Sequence, residues 1–189
     1  MKLHLFIIAS LLLCVGCESS PKQQTPNASK RKSTEVSKAC KHQGKQGAWQ
    51  LTCPADWVRA KAPHPNAEIS LRHRPTGQLF MALVSTNEQP NQADALESLS
   101  KSGLTLLRRQ HDSLRVIETK SSRLGDHPTR HVVANVTIEG QVYQYDLVYM
   151  IHDKWQYQWV GLSRGASAPN ASFMGLLAQI ELQPKTPTP

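Results

Sequence analysis

Beyond residue 17 the sequence lacks a CxxC pair, an Asp-rich calcium loop and a phosphate-cradling glycine loop. Their absence removes dithiol redox chemistry, EF-hand-type calcium binding and P-loop nucleotide binding from consideration. Histidine is missing after Ser163. Gly161-Leu162-Ser163-Arg164-Gly165 spells the nucleophile elbow G-x-S-x-G, but the order Ser, acid, His cannot be completed, and Ala166 to Pro169 stand where the elbow needs a helix to begin. The stretch is therefore expected to be a glycine-flanked loop leaving a sheet, with Arg164 available to a partner. Paired carboxylates are also wanting. Asp146 is the single mid-strand acid, set among Tyr145, Leu147 and Tyr149, and alternation places it beside Gln144 as a partly exposed polar residue. Metal-ligand spacing is represented only by His127 and His131. Pro128 between them makes the segment a turn entering a strand, so the shared helical face that a metal site would use is lost. The expectation is a protein with no catalytic residue, no metal and no cofactor.

Only one long apolar run is present. Lys2 is followed by Leu3 to Leu13 and then by small residues, the layout of a secretory signal that is too short to span a bilayer at roughly 20 residues. The next four residues, Cys14-Val15-Gly16-Cys17, resemble the bacterial lipobox, with the small Gly16 before the cysteine and Cys14 where the family usually has Leu. The resemblance implies cleavage after residue 16 and lipidation of Cys17. Two or more palmitate-type acyl chains, at about 0.8 kcal/mol per buried methylene, would then hold the protein on a membrane. Glu18, in place of the Asp that marks inner-membrane retention in such families, implies the outer membrane.

Aliphatic residues are scarce from Glu18 to Gly47, where Ser, Lys, Gln, Thr and Pro dominate. Such a segment buries too little apolar surface to offset the entropy of ordering, so 17–47 is expected to be a flexible tether. It carries seven Lys or Arg against Glu18 and Glu35. From residue 48 onward 14 basic residues face 12 acidic ones, so most of the overall charge of +8 sits on the tether. A basic arm near a lipid surface is drawn to anionic head groups, and it could instead touch peptidoglycan or nucleic acid or serve simply as a solvated spacer. The nearly neutral remainder argues against nucleic acid, whose binders carry their positive patch on the fold. With Cys14 in the signal and Cys17 lipidated, Cys40 and Cys53 remain, and an exported chain is expected to join them in a disulfide.

Residues 48–182 are of a size that suits one domain with a single core. Strands are expected at Trp49 to Cys53, Glu68 to Arg72 and, after the Pro75-Thr76-Gly77 turn, Leu79 to Thr86. Asn91 can cap a helix running to Ser102, with Ala93, Leu96 and Leu99 on one face, and Gly103 marks its end or a kink. Leu114 to Thr119, Thr129 to Ile138, Gln141 to Ile151 and Trp155 to Gly161 read as an antiparallel meander, punctuated at Gly125-Asp126, Glu139-Gly140 and Asp153-Lys154. Val132, Ala134, Val136 and Ile138 share one face, as do Tyr143, Tyr145, Leu147, Tyr149 and Ile151. The opposite faces carry Val133, Val142, Val148 and Met150, so something is expected to cover that side too. Asn170 opens a closing helix with a Phe173, Leu176, Leu177 and Ile180 stripe, and 183–189 is a proline-rich tail.

The opening Trp49-Gln50-Leu51-Thr52-Cys53-Pro54-Ala55-Asp56-Trp57, the central helix, the long Tyr-rich hairpin and the closing helix with Phe173 together resemble the PsbP-type fold. That fold is a twisted antiparallel sheet between helices, found in the PsbP subunit of photosystem II, a yeast Ran-binding protein and DcrB-like and other bacterial lipoproteins. The resemblance implies an α+β sandwich of six or seven strands and two main helices that acts by docking to an envelope protein partner. A second expectation concerns aromatics. Trp155, Tyr157 and Trp159 alternate on one strand and Tyr143, Tyr145 and Tyr149 on its neighbour, six rings that could line a groove for a lipid, glycan or other small ligand or else pack a core.

Overall fold

The computed structural model describes residues 40–44, 48–87, 94–165 and 171–183. In chain order these form β1 (Cys40–Gln43), β2 (Trp49–Cys53), β3 (Trp57–Arg59), β4 (Ala67–His73), β5 (Leu79–Thr86) and α1 (Ala95–Gln110). There follow β6 (Arg115–Leu124), β7 (His127–Ile138), β8 (Gln141–His152), β9 (Trp155–Arg164), α2 (Ala171–Leu177) and β10 (Ile180–Leu182). Seven strands make one antiparallel sheet in the order β3-β4-β5-β9-β8-β7-β6, and β1-β2-β10 make a second, three-stranded sheet. The class is α+β, as the hydrophobic alternation requires. Cys17, the 1–16 signal, the Asn91 and Asn170 caps and residues 184–189 lie outside the described residues.

The meander forms where the joints demand it. Glu139 and Gly140 both have positive φ, 50° and 77°, the backbone of a type I′ turn whose twist matches the flanking strands. Asp153 at 52° and Gly125 at 57° serve the neighbouring hairpins. One boundary differs from expectation. Strand β1 falls inside the 17–47 segment, because it pairs with β2 from Cys40↔Cys53 to Gln43↔Gln50 and a disulfide joins Cys40 to Cys53.

Each face of the large sheet has its own cover. On one side α1 packs Leu107 and the half-buried Leu96, Leu99 and Leu104 against Met81, Val132, Leu147, Tyr149 and Val160. On the other, α2 and the small sheet bring Trp49, Leu51, Phe173, Leu176 and Leu177 onto Trp57, Leu71, Phe80, Val148, Met150, Tyr157 and Trp159. This second cover explains the mixed face of β7 and β8: Val148 and Met150 are buried beneath it.

Gly103 does not end the helix. Helix α1 continues to Gln110, and Gly103 is the point where it rests on the Tyr149 ring. A Cβ there would lie 2.4 Å from the Tyr149 hydroxyl oxygen, so the missing side chain sets the helix-to-sheet distance. Burial raises the pKa of that hydroxyl well above the ordinary tyrosine value. Gly103→Ala would gain about 1 kcal/mol of helix propensity and lose about 2–3 kcal/mol, the upper part of the overpacking range. Because Tyr149 is wholly buried and cannot swing aside, the expected result is a net loss of about 1–2 kcal/mol in chemical denaturation. An unchanged or raised midpoint would contradict this packing.

Candidate functional site: a buried polar row beneath the second helix

The six aromatic rings do not meet. The two-residue turn at Asp153-Lys154 pairs His152 with Trp155, so every partner across β8 and β9 has opposite parity, as in Val148↔Trp159 and Met150↔Tyr157. Odd-numbered residues of β8 therefore point to one face and odd-numbered residues of β9 to the other. Tyr143, Tyr145 and Tyr149 lie on the α1 side, while Tyr157 and Trp159 lie on the α2 side, stacked at 5.4 Å with no exposed surface. The Tyr157 hydroxyl donates to the Ala48 carbonyl oxygen at 3.4 Å. Both rings are core, and no groove runs between the two sets. Trp155 is half-buried at the hairpin end, with the Lys154 ammonium 5.3 Å from its ring centre, and Arg164 is exposed at the far end of β9. The four proposed contact residues are thus dispersed.

Polar side chains do converge, on the α2 side. Asp146, expected to be partly exposed, has no accessible surface. Its carboxylate lies 3.2 Å from His131 Nε2 and accepts a 3.0 Å hydrogen bond from Gln144 Nε2. A buried charge or polar group is tolerated only with such partners. His131 reaches Asp146 because β7 and β8 pair Val133 with Asp146 and His131 with Val148, a diagonal on one face. His127 has a different neighbour, the His152 ring at 4.3 Å. Among the described residues no group of three His, Cys, Asp or Glu side chains is placed to hold a metal ion.

The adjacent rung of the sheet is polar across five strands. Asn135 pairs with Gln144, and Gln144 with Ser163. Leu162 pairs with Leu79, so Gln78 comes next to Ser163, and the Gln78 carbonyl accepts from the His73 amide at 2.8 Å. His73 is fully engaged: Nδ1 lies 2.8 Å from Thr76 Oγ1, Nε2 2.8 Å from Asp56 Oδ2, and its ring 4.9 Å from that of Trp57. The rest of the row is not. Both side-chain amide atoms of Gln78, Oγ of Ser163 and Oδ1 of Asn135 are buried without a hydrogen-bond partner. Phe173 of α2 stands on the neighbouring rung, where a Cβ on Gly161 would come within 2.8 Å of its ring.

This geometry also accounts for the G-x-S-x-G spelling. Residues 161–164 are strand, not the expected loop, because β9 continues to Arg164. Gly161 makes room for Phe173, and Gly165 adopts a φ of 92° where the chain leaves the sheet. Ser163 faces Gln144, while His131 is on β7 with β8 between, two strand spacings or about 9–10 Å away across the sheet before any offset along it. Among the described residues no hydrogen bond joins Ser163 Oγ to a histidine or carboxylate that could serve as its base. The row itself was readable in principle, since both hairpin turns have two residues and parity follows from them. Gln78 was not, because its place depends on pairing between β5 and β9, which are far apart in sequence.

No protein-family model and no curated protein matches the sequence. Solved structures do match. The cyanobacterial PsbP of Synechocystis superposes with a TM-score of 0.56 over 82% of this chain and 98% of its own, at 10% identity. The fold is PsbP-like. A Bacteroides thetaiotaomicron protein matches with a TM-score of 0.56 and 15% identity over 77% of this chain, which spans only 48% of that longer protein. LpqN of Mycobacterium tuberculosis, described as involved in cell envelope biogenesis, matches with a TM-score of 0.53 and 12% identity over 79% of this chain and 88% of its own. At these identities the PsbP-like likeness is one of architecture.

Proposed function

We propose that this chain is a lipid-anchored cell-envelope protein, seated in the outer membrane through Cys17, whose PsbP-like domain binds a protein partner or aids assembly without catalysis. The observation that carries the proposal is the union of a lipobox-like Cys14-Val15-Gly16-Cys17 with this fold. The structural neighbour LpqN, described as involved in cell envelope biogenesis, supports the compartment. The isolation of Ser163 from His131 supports a binding role over hydrolysis. The alternative of a carrier site beneath the aromatic hairpin is less well supported, since the β8 tyrosines and the β9 aromatics lie on opposite faces of the sheet.

The anchor is tested by labelling cells with a clickable palmitate analogue and fractionating their envelopes. Wild-type protein is expected to take up label and to sediment with outer-membrane markers, and Cys17→Ser to lose both. A Cys17→Ser variant that is still labelled and still sediments would refute the anchor. For docking, capture of the intact lipoprotein after crosslinking in cells is expected to yield a reproducible envelope protein. Recovery of none would refute that part.

A further inference from the structure

We propose that the polar row Gln78, Ser163, Gln144 and Asn135 is the seat of a small uncharged ligand that presents both amide and hydroxyl groups, the chemistry of an N-acetylated sugar. The inference goes beyond the docking role and stands without it. Three side chains contribute four polar atoms that are buried and unpartnered, two on Gln78 and one each on Ser163 and Asn135. Gln78 is 1% exposed. Native proteins pair nearly all such atoms with protein, water or ligand. Four of the twelve such atoms among the described residues share this one rung, and they include both kinds of capacity. The Gln78 amide nitrogen and the Ser163 hydroxyl can donate, while the Gln78 and Asn135 amide oxygens can accept.

The row carries no formal charge of its own. Asp146, one rung away, is already held by His131 and Gln144. An anionic ligand would find no cation in the row, and a cationic one would have to compete for a carboxylate that is engaged. A neutral molecule that both donates and accepts is the match. Phe173 adds an apolar wall beside the row, resting on Gly161, of the kind that packs against the C–H face of a sugar ring. Entry would come by movement of α2, a seven-residue helix that follows the strand carrying Ser163.

The test uses the full-length lipoprotein in detergent micelles, with N-acetylglucosamine as the probe and glucose and inorganic phosphate as comparators. Saturation-transfer NMR and thermal melting are the readouts. N-acetylglucosamine is expected to bind saturably and to raise Tm, glucose to bind more weakly because it lacks the amide, and phosphate not to compete. Gln78→Leu is expected to weaken binding at least about tenfold, the loss of one or two buried hydrogen bonds. Ser163→Ala, a smaller change, provides the same comparison if the leucine variant melts without cooperativity. Thr105→Ala, on the exposed side of α1, is expected to leave binding unchanged. Absence of saturable binding, undiminished binding in both row variants, or displacement by phosphate would each overturn the proposal and leave a row that is merely hydrated.

Discussion

His131→Ala is expected to destabilise the domain by about 3–5 kcal/mol, from truncating a fully buried ring and leaving the buried Asp146 carboxyl short of a partner. The substitution leaves Asp146, with no accessible surface, held by Gln144 alone. Water cannot compensate easily, because β7, β8 and β9 form the interior of the seven-stranded sheet and α2 and the small sheet contribute to the core on this side. Guanidinium denaturation of the disulfide-intact protein reads the effect as a lowered midpoint. Asp146→Asn keeps the volume and one amide-compatible contact, so a smaller loss is expected. The double variant His131→Ala/Asp146→Ala is expected to cost less than the two single alanine changes added together, since the pair is one unit with a coupling of about 0.5–3 kcal/mol. Independent, additive effects, or a His131→Ala loss below about 1 kcal/mol, would mean that the pair does not support the core.

Trp159→Ala is expected to be comparably severe, at about 3–5 kcal/mol for truncating a buried aromatic. Trp159 has no exposed surface, stacks on Tyr157 at 5.4 Å, and sits in the cluster that joins the large sheet to α2 and the small sheet. Removing it would leave a cavity where the large sheet, α2 and the small sheet meet. The same experiment separates the two roles raised by the aromatic alternation. A collapse in the melting temperature marks Trp159 as core, whereas a stable variant that had lost its partner would return it to a binding surface.

Much of the architecture could be read locally. The meander from β6 to β9 follows from strands of alternating hydrophobicity separated by residues that accept positive φ, and its joints at Gly125, Glu139-Gly140 and Asp153 lie where the turn chemistry places them. The closing helix announces itself through Phe173, Leu176 and Leu177, all buried. Other features depart from their local signature because the deciding contact is remote. Gly103 has the sequence signature of a helix breaker, yet its role is set by Tyr149, which comes from β8. Asp146 looks like a strand residue on a mixed face, and only the presence of a second cover makes it fully buried and gives His131 its role.

What the sequence determined unaided is therefore the order and kind of the elements, the two-residue hairpins, the candidate anchor at Cys17 and the lack of a completed catalytic motif. These rest on interactions within a few residues of one another, where propensity, periodicity and turn geometry act directly. Tertiary structure decided which faces were buried and which polar groups met. The parity of strand pairing sent the tyrosines of β8 and the aromatics of β9 to opposite sides, and long-range pairing of β5 with β9 brought Gln78 beside Ser163. The physical reason is that a side chain's environment depends on what packs against its face, and here those partners are supplied by segments distant in the chain.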